Sequence, residues 1–161
     1  MSCNRLFAMV LAALAITPVA VRAQTCDAPM SLFEGLPHHG TTCGQANSLP
    51  WIGTWSSPHP DYVATFTANA GLGGFFQLQT AFEAAYALLP SCDASAEPLR
   101  TGVTSPGGQE QIPLDGLTPG QYFIVITGRP ESPETTCGTF QLTPFTTLPD
   151  PIYQDGFESG M

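Results

Sequence analysis

Leu114-Asp115-Gly116-Leu117-Thr118-Pro119-Gly120-Gln121-Tyr122-Phe123-Ile124-Val125-Ile126-Thr127-Gly128 sets two turn dipeptides directly against the strongest strand signal in the chain. Asp115-Gly116 and Pro119-Gly120 are turn formers: proline presets φ at the second turn position, and glycine accepts a positive φ at the third. From Gln121 to Thr127 nearly every residue is β-branched or aromatic, which suits a pleated strand and lowers helix propensity. Tyr122, Ile124 and Ile126 share one face, and Phe123 and Val125 make the other apolar too. This predicts a central strand covered at least partly on its second side.

Strands of the same kind recur on both sides of it. Tyr62, Ala64 and Phe66 alternate with Val63, Thr65 and Thr67, which predicts a half-buried strand. After the glycine-rich turn Asn69 to Gly74, Phe75 to Thr80 returns with Phe76 and Leu78 inward and Gln77 and Gln79 outward. These two are expected to form a hairpin. Phe82 to Leu89 is read as a strand, although Phe82, Ala85, Tyr86 and Leu89 also satisfy helical spacing; it is short, ends at Pro90 and lies among strands. Ser91 to Gly108 reads as a long loop, Gln109 to Leu114 as a strand, and Gly138 to Phe145 as the last strand, with Phe140 and Leu142 inward and Thr139, Gln141 and Thr143 outward. Gln24 to Pro60, rich in turn formers, reads as loops with one or two short edge strands. The expectation is an all-β fold, an antiparallel β-sandwich or jelly roll.

Ahead of these strands, Arg5 precedes the apolar run Leu6 to Ile16, and Val21-Arg22-Ala23 offers a small-x-small cleavage site. Residues 1–23 therefore read as a signal peptide, because the run is too short to span a bilayer. Export to the periplasm, cell surface or extracellular space is expected. The remainder divides into an N-terminal loop segment, 24–40, a β-sandwich domain, 41–147, and a C-terminal tail, 148–161. The whole chain carries a formal charge of −9 and no lysine, and beyond the leader only Arg100 and Arg129 face thirteen carboxylates. Nucleic acid is excluded as a partner, since phosphate binding needs clustered cations. No transmembrane segment is expected, and oligomeric state is not legible in the sequence.

Four cysteines survive removal of the leader: Cys26, Cys43, Cys92 and Cys137. An even number in an exported chain argues for two disulfides. Three pairings are open, of which Cys26 with Cys43 and Cys92 with Cys137 is favoured, one closing a short loop and the other joining the ends of two strands. No CxxC pair supports zinc.

Candidate chemistry is sparse. Trp51 and Trp55, with Tyr62 nearby, could present an aromatic platform to an extracellular polysaccharide or protein, or could plug one end of the core. His38, His39 and His59 read as solvated loop residues, because no metal motif surrounds them. No cofactor is expected; the acidic surface allows weak calcium binding, with Asp61 and Asp93 as its first candidates. Neither a GxSxG elbow nor a phosphate loop occurs, so no enzyme activity is expected. A Ser-His-Asp site assembled in space from His59, Asp61 and a serine is the route to the alternative, a small exported hydrolase.

Pro60-Asp61-Tyr62-x-x-x-Phe66, Leu117-x-x-Gly120-x-Tyr122-x-Ile124-x-Ile126 and Cys137-Gly138-x-Phe140-x-Leu142 together resemble the bacterial pre-peptidase C-terminal domain over Thr41 to Phe145. The resemblance implies a β-sandwich carried as an accessory of secreted proteins, which in some members binds calcium or an insoluble polymer. Where that family has an acidic doublet before the tyrosine, this chain has Asp61 alone. In the tail, Ile152-Tyr153-x-Asp155-Gly156-Phe157-Glu158 resembles the short I-F-x-D-G-F-E terminus of exported proteobacterial proteins. That resemblance implies a sorting or retention signal, while Tyr153 and Phe157 folding back as a clasp is the competing expectation.

Overall fold

The computed structural model describes residues 24–32, 35–132 and 136–147. The expected leader and tail lie outside them, as do Glu34 and Glu134. All regular structure among the described residues is β: β1 Met30–Ser31, β2 His38–Thr41, β3 Trp51–Ile52, β4 Trp55–Ser56, β5 Tyr62–Ala68, β6 Gly73–Thr80, β7 Ala84–Leu89, β8 Arg100–Thr104, β9 Gln109–Pro113, β10 Gly120–Gly128 and β11 Thr139–Thr147. A five-stranded sheet runs β1-β5-β10-β7-β8, a four-stranded sheet runs β2-β11-β6-β9, and β3 and β4 pair alone. Every pairing is antiparallel except β1 with β5.

The facing sides of the two sheets supply one core. Tyr62, Ala64 and Phe66 of β5, Tyr122, Ile124 and Ile126 of β10, and Tyr86 and Leu88 of β7 meet Phe76, Leu78, Ile112, Phe140 and Leu142 of the other sheet. Phe66 and Phe76 meet edge to face across the gap, with ring centroids 5.0 Å apart. β10 is central, as its doubly apolar pattern predicts. Its second face is covered: Val125, with Val63, Ala87 and Leu89, lies under Leu49 and Ile52. Sealing a leucine or isoleucine side chain in this way contributes about 1.5–3 kcal/mol.

The expected β5–β6 hairpin does not form, because β5 and β6 belong to opposite sheets. Their inward aromatics pack against each other only if the connection crosses the core, so Asn69 to Leu72 is a bridge between layers. The loop expected over Ser91 to Gly108 contains β8, which pairs with β7 through Ala84↔Thr104 to Leu88↔Arg100. Its sequence, Arg-Thr-Gly-Val-Thr, lacks apolar alternation because it is an edge strand, with Val103 left about half exposed. Phe82 to Leu89 is extended as expected over Ala84–Leu89, and helical spacing there reflects burial of both faces. β5 is more than half-buried for the same reason, since the Leu49 and Ile52 layer covers Val63.

At the turns, Gly116 takes the positive φ, 81°, whereas Gly120 does not and simply begins β10. Tyr122 ties this crossing down: its hydroxyl donates to the Thr118 carbonyl at 2.9 Å. A tyrosine bonded four residues upstream is the corner device of sandwich folds. Gly74, with φ 96°, is equally constrained, for a Cβ there would stand 2.0 Å from the Phe145 carbonyl oxygen.

The disulfides join Cys26 to Cys92 and Cys43 to Cys137, not the favoured neighbours. The first fastens the N-terminal segment to the loop beyond β7, and the second joins the residue after Thr42 to the start of β11. Thr42 N–H donates to Gly138 O at 3.0 Å, and Gly138 N–H donates to Thr42 Oγ1 at 3.1 Å. Sheet pairing between β2 and β11 thus delivers Cys43 to Cys137, which local sequence distance could not reveal. Two disulfides fit an oxidising compartment. No helix among the described residues is long and apolar enough to cross a membrane.

Candidate functional site

The tryptophans are separated by their own hairpin. Trp51 pairs with Ser56, and Ile52 with Trp55, so strand alternation puts the two indoles on opposite faces of the ribbon. Trp51 is 56% exposed. Trp55 lines a cleft of about 290 Å³ together with Gly53, Ser95, Glu97 and Pro98. Tyr62 belongs to neither, being buried in the core at 4% exposure with its hydroxyl bonded to His38 Nε2. Burial pushes the Tyr62 phenol up to about 12 and lowers His38, which lies beside His39. A neutral His38 accepting the phenolic proton fits both. The three aromatics therefore do not form one platform.

The residues considered for a Ser-His-Asp site are gathered, but not as a catalytic relay. Ser57, His59, Asp61 and Thr127 are all at most 1% exposed, along the covered face of the five-stranded sheet. Alternate positions of Ser57-Pro58-His59-Pro60-Asp61 share a side in extended chain. His59 is thus a buried residue and not a solvated one. Its Nδ1 accepts the Thr136 N–H at 3.2 Å, and Nε2 faces the Arg129 carbonyl at 2.9 Å, so the ring proton sits on Nε2. Both nitrogens are engaged by backbone. Ser57 Oγ instead bonds Thr127 Oγ1 at 2.9 Å.

Asp61 Oδ2 accepts the Leu49 N–H at 2.6 Å, and the Asp61 N–H donates to Ala46 O at 3.0 Å. The carboxylate thereby holds the covering loop on the sheet. Desolvation pushes Asp61 up to about 6, against the smaller opposing effects of Leu49, Thr127 and Ser48. Oδ1 has no partner in hydrogen-bonding geometry among the described residues. Asp93 is different. It is exposed, and its Oδ1 accepts from Ser95 N–H at 2.7 Å and Ser95 Oγ–H at 2.8 Å, which lowers its pKa. Among the described residues no three His, Cys, Asp or Glu side chains converge where they could hold a metal ion.

A further surface was not singled out by sequence reasoning. The outer face of the four-stranded sheet carries rows set by register: His39, Gln141, Gln79 and Gln109 in one, Thr143, Gln77 and Gln111 in the next, then Phe145, Phe75 and Pro113. Gln77 Nε2 donates to Gln109 Oε1 at 2.8 Å, and Gln141 Nε2 to Thr143 Oγ1 at 3.1 Å. Phe75 and Phe145 stack with centroids 5.1 Å apart and planes at 26°. Phe145 remains 48% exposed. Beside the amide rows, a groove of about 650 Å³ opens along His39, Thr41, Gln79, Thr139 and Gln141. The outward alternation of Gln77, Gln79 and Gln141 is visible in sequence, but the strand order that assembles them is not.

No family model and no curated protein matches this sequence. Among solved structures, the chain is similar to the pre-peptidase C-terminal domain of collagenase from Bacillus anthracis, at 13% identity and a TM-score of 0.43, over 71% of this chain and 91% of that one.

Proposed function

We propose that the chain is an exported, non-catalytic binding module that holds an extracellular polymer against the outer face of its four-stranded sheet. One observation carries this reading: the five-stranded sheet is covered on its second side, whereas among the described residues the four-stranded sheet keeps an uncovered outer face of amides and stacked aromatics. A sandwich has no structural need for a stacked phenylalanine pair on its solvent side, with Phe75 partly buried and Phe145 about half exposed. Apolar groups left outside a core in an ordered row are candidates for contact with something else. The paired disulfides support an oxidising destination. With both His59 nitrogens bonded to backbone, the buried seam serves to hold the covering loop rather than to activate Ser57.

Sedimentation with cellulose, chitin, collagen and peptidoglycan tests the reading. Wild-type protein is expected in the pellet with at least one of them, and Phe145→Ala is expected to release it while Trp51→Ala does not. Absence of retention on all four, or retention lost only in Trp51→Ala, would overturn it. Replacing Arg5 and the apolar run Leu6 to Ile16 with polar residues is expected to keep the protein inside the cell.

A further inference from the structure

We infer that the polymer taken by this face is an uncharged polysaccharide, an inference that rests on the binding-module reading above. The charge distribution points that way first. Thirteen carboxylates are spread over the chain, yet the outward positions of β2, β11, β6 and β9 bear no Asp, Glu, Lys or Arg. Glu110, the acidic residue of β9, is opposite the inward Leu78, which places it on the side away from the face. Asp115 borders the rows at the Phe75 end, where its carboxylate accepts the Gly74 N–H at 3.3 Å; on the rows themselves a cationic ligand would find no carboxylates, and an anionic one would meet no Lys or Arg within a strongly acidic molecule. A neutral ligand is what remains.

Chemistry of the rows narrows it further. Each glutamine amide offers an acceptor oxygen and two N–H donors, which matches hydroxyl groups that both give and accept. At one end the Phe75 and Phe145 rings provide an apolar step, suited to the C–H face of a sugar ring. From that step to the Gln79 and Gln141 row is four residues along the strand, about 13 Å. Across the four strands the face spans about 14 Å. That is room for a short run of sugar rings bridging stack and amides, with the groove beside Gln79 and Gln141 receiving the next. A protein partner is less suited, because an interface core needs more contiguous apolar area than one ring pair and a proline. Strand addition would use a sheet edge, not this face.

The test compares microcrystalline cellulose and colloidal chitin with polygalacturonate beads and collagen fibrils, using the whole exported protein. Expected is retention on cellulose or chitin that persists at about 0.5 M salt, since no ion pair is involved. Phe145→Ala and the double variant Gln79→Ala, Gln141→Ala should each weaken retention about tenfold, the loss of one stacking or hydrogen-bonding subsite. Phe145→Tyr should retain binding, and unchanged melting temperatures would show that the variants are folded. Capture by collagen or polygalacturonate alone, weakened by Phe145→Ala, would overturn the assignment to an uncharged polysaccharide and leave the binding module standing. No capture on any polymer would overturn both. Full cellulose or chitin retention in both alanine variants would overturn the assignment to this face. A dimer in sedimentation velocity, dissociated by Phe145→Ala, would make the face a contact between copies and refute it too.

Discussion

Asp61→Asn should stabilise this protein at neutral pH, and the gain should vanish in acid. Buried against the covering loop, Asp61 holds its proton more tightly folded than unfolded, its pKa rising from 3.8 to about 6. A carboxyl shifted upward contributes stability that is full below the unfolded pKa and lost as pH rises through the folded one. At 1.36 kcal/mol per pKa unit, the loss between pH 3.5 and 7.5 is about 3 kcal/mol. Asparagine keeps an oxygen for the Leu49 N–H, and its amide can donate to the Ser48 or Thr127 hydroxyl without carrying charge. Urea unfolding followed by tryptophan fluorescence, across that pH range and with disulfides intact, measures the difference between wild type and variant. Other titrating groups cancel in that difference. The expected curve starts near zero in acid and climbs with a midpoint between the two pKa values, corresponding to about 10 °C in melting temperature at neutral pH. A difference that stays flat with pH would show that the Asp61 carboxylate is solvated or paired, and would refute the reasoning.

Non-reduced peptide maps should link Cys26 with Cys92 and Cys43 with Cys137, and Cys137→Ser should cost about 4–5 kcal/mol on the chain-entropy model for so long a loop; a Cys26–Cys43 peptide would contradict this. Gly40→Ala should lower stability by about 1–3 kcal/mol through overpacking, because its Cβ would stand 2.4 Å from the Phe140 ring, whereas Gly120→Ala meets nothing nearer than 3.9 Å and should change little in thermal melts. Calcium at micromolar concentration should leave the melting temperature in place, since no three His, Cys, Asp or Glu side chains converge among the described residues. A rise of many degrees would expose a site that these residues do not form on their own.

What sequence could and could not reveal divides along a physical line. Alternation along one strand is local, so the inward set of β6 and β11 and the double burial of β10 were legible from residue types alone. Pairing is not local. Tyr62-to-Thr67 and Phe75-to-Thr80 have every feature of a hairpin, and only the need of Phe66 and Phe76 to face each other separates a crossing from a turn. The same blindness hid β8, whose edge position leaves it polar, and sent Cys26 to the nearest cysteine instead of the one brought over by folding. His59 shows a different failure. Flanked by prolines in a turn-rich stretch, it looked solvated, yet its ring is held by Arg129 and by Thr136, 70 and 77 residues away. The candidate face suffered most, because it is a property of four strands in a particular order.

The order of the bridged cysteines along the chain, first with third and second with fourth, has a consequence for survival outside the cell. A single proteolytic cut before Cys43 leaves both fragments joined through Cys26–Cys92, and a cut after Cys92 leaves them joined through Cys43–Cys137. Between those points either bridge suffices. Any one nick between Cys26 and Cys137 therefore yields two pieces that cannot diffuse apart, and a surface loop can be clipped without releasing a strand. Had the bridges joined neighbours instead, one cut anywhere from Gly44 to Ser91 would have left the halves with no covalent link.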